Sequence, residues 1–457
     1  MSAFLSVFVA AIAMQGGQRS LLQQVVPNPT GANGYEDYLK AADIVNDGMC
    51  SFYVNWTPNQ YKDMVARMTP PPNMSELEKL DFESGKPSPQ VLALVKHLDG
   101  MTVLQVRREA VQRYGKALAF LRSGNQKKVY DPREKMGVDT LFPEYASFKN
   151  LAKFATIIAA NEAFADGKPH EGTMLLLDAF QLGQNLQRGV LIAHLVGIAI
   201  ESITIAGFEE YMPQLPRDDA ALVERTMNGY VSDGPNVVDA IRSEMKFNIS
   251  SFDQILQSPQ QALGLKQDDV DASAQALIKS ISALSPDRKE ALHAQLQAGL
   301  ERSLQPVLQA FSGPESAWVA YKDPPSNTPD SESDSVKLPT NAADLVQFFI
   351  DELQPVYGGL GQAAAKNRTQ MRLLGLHAAV MRYRWDNDKL PSKLEDAVPA
   401  SQVDDPLSGQ KFVFEPQGLW GFRIYSVGTQ ALGEIGLKYR RVSSGDTGGQ
   451  NPPPPTR

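Results

Sequence analysis

The stretch Val190-Leu191-Ile192-Ala193-His194-Leu195-Val196-Gly197-Ile198-Ala199-Ile200-Glu201-Ser202-Ile203-Thr204-Ile205-Ala206-Gly207 decides how this chain is built. It is almost continuously apolar, interrupted by His194, Glu201, Ser202 and Thr204. Its length approaches that of a membrane span. A carboxylate is costly in lipid, however, and no basic flank beyond Arg188 marks an interface. The stretch therefore reads as the central helix of a helical protein, covered by its neighbours. His194 and Glu201 stand two helical turns apart on one face, too far for a direct local pair. Two readings stay open: the two line one polar pocket, or each is a buried polar group satisfied on its own.

Around this helix the pattern stays helical. Asn33 stands as a cap before Tyr35, Tyr38, Leu39 and Ala42, which recur at i, i+3, i+4 and i+7. Similar stripes run through Val91–Leu98, Val106–Leu121, Phe148–Ala165, Thr173–Leu186, Ala220–Val231, Val237–Phe247, Ala274–Leu284 and Arg288–Phe311. Residues 35–311 are therefore expected to form an α-helical domain. Residues 312–340 are acidic and rich in Pro and Ser and read as a disordered linker. Residues 341–440 form a second module, and 441–457, with four consecutive prolines, read as a disordered tail. The fold class is mainly α: a multi-helix body with a small C-terminal α+β module, a long helix plus a short antiparallel sheet.

Within the body, Phe154–Gln184 carries small residues at Ala160, Gly172 and Ala179 around a turn at Gly167. The hairpin resembles one tetratricopeptide unit, in which small residues let two antiparallel helices cross closely. Thr156 replaces the usual aromatic and Gln184 the usual proline, and no second copy follows. The resemblance implies the hairpin geometry and not the peptide groove of a repeat array.

In the C-terminal module, the helical run Gln370–Arg384 leads to Asn387-Asp388-Lys389-Leu390-Pro391, a short Leu394-bearing segment, Asp405-Pro406-Leu407-Ser408-Gly409, and Phe422-Arg423-Ile424-Tyr425-Ser426-Val427-Gly428. This order resembles the soluble head of type II secretion major pseudopilins. Pro391 redirects the chain, Leu394 and Val398 pack back on the long helix, and alternating residues of 412–414 and 422–426 read as half-buried strands. The family often holds calcium after its Ser-x-Gly; here Thr429–Glu434 offers one carboxylate, so no calcium is expected. The head sits behind a long helical body, so filament assembly by the family's route is not expected. The combination is similar to a class of uncharacterised bacterial exported proteins, which implies no activity.

The N-terminal segment has the texture of a targeting sequence. Ala3–Met14 is mostly apolar and closes on Ala11-Ile12-Ala13, a small-x-small cleavage pattern before a polar stretch. Residues 1–13 are expected to be a signal peptide and 14–34 a polar leader. The protein is expected to be exported to the periplasm or cell envelope, with no membrane span in the mature chain. An uncleaved N-terminal anchor, or a buried N-terminal helix in a cytoplasmic protein, are the alternatives.

With 44 basic and 52 acidic residues among 457, the net charge is −8. That argues against a nucleic-acid partner, since no basic stripe is available to displace counterions. The single cysteine, Cys50, excludes an internal disulfide and reads as buried structure. His97, His170, His194, His293 and His377 form no zinc motif, and Glu290-x-x-His293 is a lone copy of an element that di-iron bundles need twice. Gly358-Gly359-Leu360-Gly361 follows a helix and reads as a hinge rather than a phosphate cradle. No catalytic, cofactor-binding or metal residue is assigned. The expected function is non-catalytic, through a protein partner or as a scaffold, with secretion as a possible setting. The hairpin around Gly167 and the strand residues Phe422 and Tyr425 are the candidate surfaces. The alternative is an exported hydrolase or ligand-binding protein with its site in the helical body near His194 and Glu201.

Overall fold

The computed structural model describes residues 20–47, 49–56, 62–63, 65, 88–133, 136–138, 140–262, 272–323, 339–351, 357–417 and 421–437. The expected signal segment 1–13, the acidic stretch 324–338 and the tail 441–457 lie outside these residues.

Helix starts follow their caps. The Asn33 side chain accepts from the Tyr35 amide at 3.0 Å, and Thr102 and Gln105 form a reciprocal capping box. Helices α1 (Leu21–Val25), α2 (Gly34–Val45), α3 (Cys50–Val54), α4 (Pro89–Leu98), α5 (Val103–Tyr114), α6 (Lys116–Asn125) and α7 (Glu144–Lys153) surround a first core. Tyr35 and Tyr38 meet Phe148 edge-on in it. A π-helical turn, Phe154–Ala160, carries α7 into α8 (Asn161–Ala165). Gly167 then turns the chain at φ +72°, a conformation that favours glycine, into α9 (Pro169–Leu186). Across this turn Gly172 is set against the Phe164 ring.

Helix α10 (Leu191–Tyr211) explains its own composition. Ala193, Val196 and Ile200 feed the first core, while Leu191, Ile198, Ile205 and Phe208 feed a second on its opposite side. A helix that serves two cores has little face left for polar residues. By length and composition it could cross a membrane, yet most of it is covered by neighbouring helices. The closest approach is to α9. A Cβ placed on Gly197 would lie 2.5 Å from the Gly183 carbonyl oxygen, so only glycine lets the two backbones meet there.

The second core continues through α11 (Arg217–Asp233), the start of α12 (Val237–Gln257), and, after α13 (Pro259–Ala262) and α14 (Ala272–Ser282), the end of α15 (Pro286–Phe311). Helix α16 (Glu315–Ala320) closes it with Trp318, whose indole donates to the Gly313 carbonyl. A third, smaller core joins α12, α13, α14, α15 and α17 (Ala342–Asp351), with Phe252 edge-on to Phe349.

Helix α18 (Tyr357–Asn387) begins under a long-range cap: Asp323 accepts from the Tyr357 and Gly358 amides, both at 2.9 Å. It ends before Asp388, at φ 52°, and Pro391. The chain then makes two short 3₁₀ turns, the pair β1 (Asp404–Asp405) and β2 (Gln410–Lys411), and an antiparallel sheet of β3 (Val413–Gln417), β4 (Gly421–Thr429) and β5 (Gly433–Gly436) in order β3-β4-β5. The Asp405 side chain is buried. It accepts from the Leu407 and Ser408 amides and from the Ser408 and Ser426 hydroxyls, tying the Asp-Pro turn to β4.

The mainly α fold with a small α+β module is as expected; three boundaries differ. Within the leader, α1 is folded, because Leu21 and Val25 are buried in the first core. Residues 315–320 of the expected linker are helical, because Trp318 and Val319 of α16 are buried in the second core. The division at 341 does not separate two cores: α18 packs on α10, α11 and α16 as well as on β4 and β5, so body and module share one interior.

Replacing Gly197 by Ala is expected to destabilise the protein by about 1–3 kcal/mol, because neither backbone can retreat. Gly229→Ala, at an open position in α11, is expected to be neutral or stabilising by up to about 1 kcal/mol. Urea unfolding of the two variants checks the contrast.

Candidate functional site

His194 and Glu201 both face inward from α10, 2% and 0% exposed. They are not paired with each other. Gln187, at the end of α9, joins them: its carbonyl accepts from His194 Nδ1 at 2.9 Å, and its side-chain amide donates to Glu201 Oε1. Since a carbonyl only accepts, Nδ1 carries the proton and the ring is held in one tautomer. Burial lowers the His194 pKa, against the raising effect of that carbonyl, so the ring is neutral near pH 7.

Glu201 Oε1 also accepts from Gln184 Nε2 at 2.7 Å, while Oε2 has no hydrogen-bond partner among the described residues. Burial pushes the Glu201 pKa up to about 8, against the lowering effect of the Asn367 and Gln184 side chains. The carboxyl is therefore largely protonated at neutral pH, which avoids the cost of an unpaired buried charge. From α18, Asn367, Arg368 and Met371 close over the group. Arg368 and Arg372 are both paired with Glu315, at 3.0 and 2.8 Å. The free space beside His194 is about 10 Å³, marginal for one water.

The remaining histidines do not converge on this point. His377 donates to the Leu373 carbonyl and stacks on Phe422, and burial lowers its pKa to about 3. His97, His170 and His293 pair with Glu109, Asp219 and Asp253 in three separate places. No group of three or more His, Cys, Asp or Glu among the described residues is placed to hold a metal. Cys50 is buried, and burial followed by Asp47 pushes its thiol up to about 12.

The two strand residues lie on opposite faces of β4. Phe422 points inward, against His377 and Phe414. Tyr425 points outward, donates to Glu415 and lies under the Arg423 guanidinium. Only Tyr425 belongs to an exposed patch, completed by Val427 and the Arg423–Glu434 pair. Parity along a strand carries this distinction in the sequence itself.

A roomier hollow opens beside the same α9–α10 turn. It is a cleft of about 400 Å³, walled by Tyr35 and Tyr145 on one side, by Leu186, Arg188 and Val190 at the turn, and by Ser243, Lys246, Phe247 and Ser250 of α12 on the other. The α12 residues recur at i, i+3, i+4 and i+7, a helical face whose mixed polarity hid it among ordinary stripes.

Two outcomes test this description. Because a carboxyl with a raised folded pKa stabilises the fold while protonated, its contribution falls as pH rises from the ordinary value near 4.5 through about 8. Glu201→Gln removes that loss. Its stability relative to the parent is expected to climb across this window, by at most about 1.4 kcal/mol per pH unit, and to level off above it. Urea unfolding from pH 5 to 9 measures the difference. Cys50 is expected to resist a thiol reagent in the native protein and to react fully once unfolded in guanidinium.

No family model matches the chain, and neither a curated protein nor a solved structure matches it.

Proposed function

We propose that the protein is a non-catalytic binding or scaffolding protein of the cell envelope that acts by contact with a protein partner. The observation that carries this reading is the sealing of His194 and Glu201: the strongest candidates for chemistry are neutral, shared through Gln187 and left with about 10 Å³ beside them. A hydrolase needs its acid and base within reach of substrate and water. Here the two groups serve the junction of α9, α10 and α18.

The partner surface in this reading is the outer face of the three-stranded sheet, where Tyr425, Arg423, Val427 and Glu415 stand together. Aromatic and arginine side chains of this kind are favoured anchors in protein contacts. The pseudopilin-like order of the module makes secretion machinery the partner class to test first. The turn at Gly167 offers a second, polar surface. Export rests on the apolar run ending at Ala13.

Two measurements test this function. The mature N-terminus is expected to begin at Met14 in an envelope fraction; an intact Met1 in the soluble cytoplasmic fraction overturns export. A photo-crosslinking amino acid placed at position 425 is expected to capture secretion-machinery components in native cells, whereas the same group at inward-facing position 422 does not. Recovery of none at 425 overturns the sheet-based reading.

A further inference from the structure

We propose that the cleft between the α9–α10 turn and α12 is a binding site for a small amphipathic carboxylate, with an apolar body and one anionic head. Its volume of about 400 Å³ falls in the range of small-molecule sites. Its interior is apolar and aromatic, with Tyr35, Tyr145, Leu186, Val190 and Phe247 facing the space. Such a lining recovers free energy only from an occupant with apolar surface of its own.

The charges at the cleft fix the sign of the head. Arg188, from the turn, and Lys246, from α12, both reach it, and neither has a carboxylate partner among the described residues. One carboxylate, Asp131, also lines the cleft, and the acids at and near it have partners of their own. Asp131 takes the Arg133 guanidinium at 2.8 Å, and Glu144 takes the same guanidinium at 2.7 Å and the Tyr35 hydroxyl at 2.6 Å. Glu244 accepts from the Leu191 amide at 3.1 Å and so caps α10. Two cations from separate elements thus flank an apolar hollow whose one lining acid, Asp131, is paired with Arg133. Val190, the N-cap of α10, and Ala193 of its first turn complete the apolar wall on the same side. The site is separate from the sheet surface of the preceding proposal, and either stands without the other.

The probes are octanoate, which matches both parts, octan-1-ol, which keeps the chain without the charge, and acetate, which keeps the charge without the chain. Isothermal titration of the full-length protein is expected to give one octanoate site. Octan-1-ol and acetate are each expected to bind at least tenfold more weakly. The double variant Arg188→Gln, Lys246→Gln is expected to lose at least tenfold in octanoate affinity with an unchanged thermal midpoint, because both side chains are exposed. Lys389→Gln, at the far turn after α18, leaves affinity unchanged. Ser250→Trp fills the cleft with both cations intact and is expected to abolish binding, which keeps the test decisive if the double variant misfolds. Absence of octanoate binding overturns the proposal, as does equal binding of octanol, equal binding of acetate, or full affinity in the Ser250→Trp variant. Binding of a polyglutamate peptide without octanoate assigns the cations to a macromolecular partner and overturns it too.

Discussion

A nearly apolar helix must be covered along most of its surface, and α10 imposes that demand on the molecule around it, leaving only the stripe of Leu195, Ser202 and Ala206 exposed. Its two apolar faces serve different cores, and with α9, which also contributes to both, it holds the two groups of helices in register. The demand is met by α7 and α9 on one side and by α12 and α18 on others. Burying a Leu, Ile or Phe side chain is worth about 1.5–3 kcal/mol, so a helix carrying many of them dominates the stability of its surroundings. The cost is tight geometry. Gly183 and Gly197 let α9 and α10 approach backbone to backbone, and that approach brings Gln184 and Gln187 against Glu201.

The polar groups on α10 are intelligible on the same terms. A buried carboxyl can keep its charge with a cation, or discard it by holding its proton. Arg368 and Arg372 are close at hand on α18, yet Glu315 takes both, and Glu201 is left with uncharged amide donors. Protonation is the cheaper state there. His194 follows the same logic with its Nδ1 proton given to a backbone carbonyl. The pair acts as a positioned joint between the end of α9 and the middle of α10.

Much of the helical architecture was legible because periodicity is local. The stripe at Tyr35, Tyr38, Leu39 and Ala42, the turn glycine at Gly167 and the almost continuously apolar run at Val190–Gly207 each carry their own signal. Short elements were less legible. Leu21–Val25 and Glu315–Ala320 sit in polar, Pro-containing surroundings, and only the distant surfaces that cover Leu21, Val25 and Trp318 make them helices. The state of Glu201 was out of reach for the same reason. Asn367 belongs to another element far along the chain, and no spacing rule announces that it will arrive there. The cleft, too, is assembled from three distant segments, of which only the α12 face has a sequence period.

The complete burial of Leu373–Met381 in the middle of α18 has a consequence for how the molecule comes apart. The sheet cannot be lifted off as a portable unit, because the helix beneath it is also a wall of the helical body. A chain ending ahead of Ala342 would leave Met227, Phe208 and Trp318 facing solvent, an aggregation-prone scar rather than a smaller folded protein. Losing the last hundred-odd residues and melting the second core are thus one cooperative event, and the rise in heat capacity on unfolding comes from both together.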